Sequence, residues 1–192
     1  HHGDLRIKRT ELMLHQAFMD LVVEVGFKSI TIQLLSERAM INRATFYRHY
    51  DDIFDLTEKV YLNLSQEYLD SVIPDDPVAT LQKLFEHCGT YAEFYKTLLA
   101  DIPRFQELIR NLGEKQYEDF FKQLGLNEEQ IEIPLPVILR YWMSAQMSLV
   151  QWWLENGQTV PPNKMAQYLW QLLESGALPA LQLPVHTSQF SE

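Results

Sequence analysis

The residues best suited to chemistry stand together in Arg43-Ala44-Thr45-Phe46-Tyr47-Arg48-His49-Tyr50. At helical spacing Phe46 and Tyr50 lie four apart and face a core, which turns Arg43, Ala44, Thr45, Tyr47, Arg48 and His49 outward. Those groups suit DNA. Arginine forks pair with guanine edges or phosphates, hydroxyls meet phosphate oxygens, and Ala44 is small enough to approach a thymine methyl. Asn42 and Thr31 are natural helix caps at the edge of the same surface. Lys8, Arg9 and Lys28 are expected to add phosphate contacts that carry no sequence information. A plain surface helix with two solvated arginines is the competing reading of this stretch.

Catalytic patterns are missing from the rest of the sequence. There is no Glu-x-x-His pair, no H-E-x-x-H, no C-x-x-C, no G-x-S-x-G and no G-x-G-x-x-G. His87 and Cys88 are neighbours, so on a helix they diverge by about 100° and make no dyad by themselves. Cys88 is the single cysteine, which excludes an internal disulfide and a multi-thiolate metal site. No enzyme activity, cofactor or metal is expected.

The chain has 192 residues, 46% of them apolar, with a formal charge of −10. A uniformly basic nucleic-acid coat is excluded, but the charge is uneven. Residues 1–50 carry seven Lys/Arg against five acids, a net of +2, whereas residues 51–192 carry a net of −12. Only the first segment can approach a phosphate backbone without strong repulsion. His1-His2-Gly3 reads as a tag remnant, and no secretory signal is expected ahead of the head. The most apolar window, 137–154, contains Arg140, Gln146 and Gln151, which argues against a membrane span. A cytoplasmic protein is expected.

These residues need elements to hold them, and the periodicity is helical nearly throughout. Leu14, Phe18, Leu21, Val22 and Val25 form one stripe, stopped at Gly26. Thr31 and Asn42 start two short helices, 32–39 and 43 to about 49, joined by the turn Met40-Ile41-Asn42. Asp51 and Asp52 precede a longer helix with Ile53, Leu56, Val60, Leu64 and Tyr68 as its stripe. Pro74-Asp75-Asp76-Pro77 is the clearest break. Further helices are expected at about 78–100, 104–111, 113–124, 136–156 and 162–175. The fold expected is all-α, with a three-helix helix-turn-helix head at 4–51, a helical-bundle body at 52–176 and an extended or disordered tail at 177–192.

At this point a family resemblance becomes specific. Residues 7–55 resemble the N-terminal DNA-binding domain of the TetR family of helix-turn-helix regulators. The matching pieces run in order: Ala17-Phe18, Val25-Gly26-Phe27, Ser29-Ile30-Thr31-Ile32, Glu37-Arg38-Ala39, and Ile41 through Tyr50. One departure is Met40, where the family often has glycine in the turn. Trp152-Trp153-Leu154-Glu155-Asn156-Gly157 and the Pro161-Pro162 run that follows resemble the C-terminal region of one TetR branch. The resemblance implies a homodimer bound to a double-stranded DNA operator, more readily a repressor than an activator, released by a small apolar or aromatic effector.

The body suits that role. Fourteen of the twenty-three aromatics, including all four tryptophans, lie between Pro77 and Ser175. Phe85, His87, Cys88, Tyr91, Phe94, Tyr95, Phe105, Trp142, Met143 and Gln146 are the expected walls of an effector pocket. The 136–156 helix is apolar on most sides and must be covered on most sides. Ser144, Ala145, Ser148, Trp152, Trp153, Met165, Leu169 and Leu172 are the expected dimer interface. Two other functions stay open on sequence: a TetR-like co-regulator working through a protein partner, and a helical enzyme or small-molecule carrier.

Overall fold

Short polar side chains start the helices that position the candidate DNA surface. The computed structural model describes residues 2–70, 76–123, 125–127, 129 and 131–176, and all regular structure among them is helical. Helix α1 spans His2–Val25, and Gly26 stops it at φ 77°, where a side chain would be strained. After a 3-10 turn at Phe27–Ser29, Thr31 Oγ1 accepts from the Leu34 N–H at 3.1 Å and opens α2, Ile32–Arg38. Asn42 Oδ1 accepts from the Thr45 N–H at 2.8 Å and opens α3, Arg43–Phe46. Asp52 and Asp76 cap α4, Ile53–Leu69, and α5, Pro77–Thr90, in the same way. Each such cap contributes about 0.5–2 kcal/mol. The body continues with α6, Ala92–Asp101, α7, Pro103–Gln123, α8, Leu135–Glu155, and α9, Pro162–Ser175.

Leu14, Phe18, Leu21, Leu35 and Phe46 close the head around a dry centre, with Tyr50 beneath them. In the body α5 lies along α9 and α7 along α8, while α6 returns to pack on α1. That return is aromatic: Phe94 meets Phe18 edge to face, with ring centres 6.2 Å apart. One apolar core therefore runs without interruption from head to body.

Three expected boundaries move. Helix α3 ends at Phe46 rather than near His49, because the next amides tighten to i−3 carbonyls: Arg48 N–H to Thr45 O and His49 N–H to Phe46 O. The segment 78–100 divides at Tyr91, so that α5 can follow α9 while α6 turns toward α1. The segments 104–111 and 113–124 form one helix that runs through Gly113. A Cβ at 113 would land inside the Met143 side chain, so the glycine serves close approach of α7 to α8 and does not break the helix. The tail 177–192 and the Pro74-Asp75 break lie outside the described residues.

Met40, the departure from the family's turn, takes a strained backbone conformation. It sits at φ 53° and is 83% exposed, so no burial compensates it. A left-handed conformation costs a side-chain residue about 1–2 kcal/mol. Glycine would relieve that and add about 0.5–1 kcal/mol of chain entropy to the unfolded state. Met40→Gly is therefore expected to stabilise the protein by about 0.5–1 kcal/mol. Urea unfolding of both proteins measures it, and a lower midpoint for the variant would contradict a strained turn.

Candidate nucleic-acid interface and effector cavity

The front of α3 is arranged by a chain of hydrogen bonds. The Thr45 hydroxyl donates to Asn42 Oδ1 at 2.9 Å and accepts from Arg48 Nη2 at 3.1 Å. Arg48 Nε also leans toward Ala44 O at 3.4 Å. Asn42, Thr45 and Arg48 are thus held along the helix surface. Arg43 and Tyr47 are exposed, and no ion pair holds the Arg43 guanidinium among the described residues. Lys8, Arg9, Lys28, Thr31 and Ala44 are exposed as well. His49 is a correction: its side chain is 12% exposed and turns back on α1, with Nδ1 3.6 Å from Glu11 Oε1. A ring anchored there has little surface to offer a groove.

One contact ties the head together and another fixes it to α4. Arg38 forks onto Glu24 at 2.9 and 2.6 Å, and this hydrogen bonding holds the Glu24 carboxyl below the usual carboxylate range. His15 joins three elements: Nε2 meets the Tyr50 hydroxyl at 2.8 Å, and Nδ1 meets Asn63 Nδ2 of α4 at 3.2 Å. The end of the recognition segment is thereby tied to both α1 and α4.

Behind the head, α4 and the five helices that follow it line a cavity of about 760 Å³. Tyr61, Ser65 and Tyr68 enter it from α4, and Leu84, His87 and Cys88 from α5, each set at one-turn spacing. Tyr95 comes from α6, Tyr117 from α7, and Trp142, Met143 and Gln146 from α8. The polar groups pair within the wall: His87 Nε2 with the Tyr95 hydroxyl at 2.9 Å, and the Tyr117 hydroxyl donating to Gln146 Oε1 at 2.9 Å. Burial pushes the Tyr61 and Tyr117 phenols and the Cys88 thiol up to about 12.

His87, Cys88, Tyr95, Trp142, Met143 and Gln146 stand in this wall as expected from sequence. Phe85, Tyr91, Phe94 and Phe105 do not, and each has another partner. Phe85 packs on Trp153, Phe94 on Phe18 and Phe105 on Tyr61, while Tyr91 flanks His87 outside the lining. Tyr61, Ser65, Tyr68 and Tyr117 were missed. Their signal was available: tyrosine and serine on an apolar stripe, where a dry core would carry leucine.

Residues 75–175 match a TetR C-terminal family model, described as a transcriptional regulator C-terminal region. The chain belongs to the TetR family. A relative, the uncharacterized HTH-type transcriptional regulator YxbF of Bacillus subtilis (strain 168), is 26% identical over 178 residues. The match covers 89% of this chain and 46% of that protein, so the chain spans about half the length of this curated relative. The TetR transcriptional regulator from Streptococcus agalactiae 2603V shares the fold at TM-score 0.69 and 23% identity, over 89% of this chain and 97% of that one. The regulator FadR from Bacillus subtilis, solved in complex with stearoyl-CoA, does so at 0.59 and 11%, over 86% and 98%.

The TetR-type interface expected on α8 and α9 is revised by burial. Ser144, Ser148 and Trp152 are exposed, in line with Val137 and Tyr141, and Ala145 and Leu172 are half-buried. Trp153, Met165 and Leu169 are at most 2% exposed and have no surface to give a second subunit. They pack inside their own chain. Adjacent positions on a helix point about 100° apart, so Trp152 and Trp153 cannot share one face.

Burial also lowers the His15 and His87 pKa values, desolvation outweighing the nearby Glu11 and Glu67 charges. A histidine held below its unfolded value of about 6.5 favours folding in its neutral form. That contribution is complete above the unfolded pKa and is lost as pH falls through and below it. The urea midpoint is expected to drop between pH 7.5 and 5.5, with a shallower drop in a His15→Gln/His87→Gln variant. Equal slopes for the two proteins would remove these histidines as the cause.

Proposed function

We propose that this TetR-family protein is a homodimeric, operator-binding transcriptional regulator, working as a repressor that a small molecule releases from DNA. One observation carries the reading. Helix α4 supplies Tyr61, Ser65 and Tyr68 to the cavity, and its capped start at Asp52 follows directly on the recognition segment. A ligand that prefers one placement of α4 therefore prefers one placement of α3, which is all that a population shift requires. Two recognition helices would meet successive major grooves about 34–36 Å apart. The pairing of Tyr61 with Phe105 joins α4 to α7, and that of Phe94 with Phe18 joins α6 to α1, so body helices around the cavity are packed on elements that carry the head.

The test is binding of the purified protein to the duplex upstream of its own gene. Affinity is expected in a near-palindromic segment and falls steeply with added salt, as phosphate counterions are released. Absence of binding to any upstream duplex, or binding indifferent to salt, would refute direct operator recognition.

The dimer places the exposed strip Tyr141, Ser148 and Trp152 against a second copy. Ser148→Arg sets a cation in the middle of that strip, where its desolvation is unfavourable. Sedimentation is expected to show a wild-type dimer at micromolar concentration and a variant shifted to monomer. A wild-type monomer would sink the proposed assembly.

A further inference from the structure

We propose that the cavity takes an uncharged, largely apolar ligand, oriented by hydrogen bonds at two polar pairs in its wall. This rests on the effector reading given above and narrows it to a chemical class. The first pair is His87 with Tyr95, between α5 and α6; the second is Tyr117 with Gln146, between α7 and α8. Each pair joins two helices, so a ligand that inserts there acts on the packing of both. Much of the remaining wall is apolar, with Leu84, Leu99, Met143, Met147, Val150 and Trp170, and the uncharged Ser65, Thr80 and Gln116 add further polar groups.

Charge in the wall decides the class. Among its described residues there is no lysine and no arginine, and the one formal charge is Asp119, which is exposed. A carboxylate, sulfonate or phosphate entering here would leave its water and meet no cation. The residues of the wall respond in the same sense. Burial raises every phenol among Tyr61, Tyr68, Tyr95 and Tyr117, so the site favours uncharged hydroxyls. His87 is shifted toward its neutral form, which presents one donor and one acceptor and no charge. A cation gains little more, since no buried acid lies in the wall to pair with it. The stearoyl-CoA bound in the FadR structure carries phosphates, and this wall offers them no partner.

The test uses two dyes that share an anilinonaphthalene body and differ by one sulfonate: N-phenyl-1-naphthylamine and 8-anilino-1-naphthalenesulfonate. Each is titrated into the full chain and followed by fluorescence. The uncharged dye is expected to bind at one site per chain at least tenfold more tightly than the sulfonate. Leu84→Trp and Ser65→Phe, two separate ways of filling the cavity, are each expected to abolish that site while the helical circular dichroism is kept. If the sulfonate binds as tightly and is lost in a folded filling variant, the class is wrong and the effector cavity stands. If the uncharged dye binds unchanged in folded variants of both kinds, the cavity is not the ligand site and the effector reading falls with it. No binding of the uncharged dye to the wild-type protein overturns the class assignment.

Discussion

Trp153→Ala is expected to destabilise the protein by about 3–5 kcal/mol, the loss typical of a large aromatic removed from a sealed core. Trp153 is 1% exposed. Its ring stands edge to face against Phe85 at 5.3 Å, and its Nε1–H donates to Val160 O at 2.6 Å. Truncation would lose the burial, open a cavity between α5 and α8, and strip the Val160 carbonyl of its donor. Because domains are stable by only about 5–15 kcal/mol, this one change removes a large share of the total. Trp152→Ala is the internal control. That neighbour is 48% exposed, so its loss from the isolated chain is expected to be clearly smaller than that of Trp153. Guanidinium unfolding at a single protein concentration below the dimer threshold compares the two. Similar midpoints for both variants would contradict the interior position of Trp153.

Arg43→Ala is expected to weaken operator binding by about tenfold or more and to relax preference at one base pair of each half-site. Arg43 stands at the first position of α3, exposed and with no ion pair among the described residues, whereas Arg48 is held by Thr45 and Ala44. Residues at the start of a recognition helix are those that reach base edges. A bidentate arginine–guanine contact gives about 1–3 kcal/mol of discrimination. Lys28→Ala, at the exposed 3-10 turn, is expected to weaken all duplexes alike. Binding-site selection with the Arg43→Ala protein separates the two effects. An unchanged base preference would assign Arg43 to phosphate and pass the reading role to Tyr47.

The head was legible because its signals are local. Thr31, Asn42 and Asp52 each announce a helix start through their own side chains, and Gly26 announces a stop. Phe46 and Tyr50 could be placed inside from their spacing alone, and both are buried. His49 could not, since its inward turn depends on Glu11 in a distant part of the chain. The body was less legible for the same reason. Whether an aromatic meets a cavity or a neighbour depends on which helix lies opposite. Phe85 and His87 are two residues apart, yet one packs on Trp153 in the core and the other stands in the cavity wall, hydrogen-bonded to Tyr95. Gly113 misled as a break because helical periodicity carries no record of Met143 on the facing helix.

That meeting of Gly113 and Met143 makes one position a dial for the volume available to a ligand. Both residues line the cavity, and a methyl group at 113 would occupy the place now held by the Met143 thioether. The thioether is the most compliant part of the wall and yields by rotating about its own bonds. With α7 on one side, the room open to it lies toward the cavity. A change from glycine to alanine would thus shrink the chamber while leaving both polar pairs in place, and on the effector reading proposed above it would move the preference from bulky toward slender ligands of unchanged polarity.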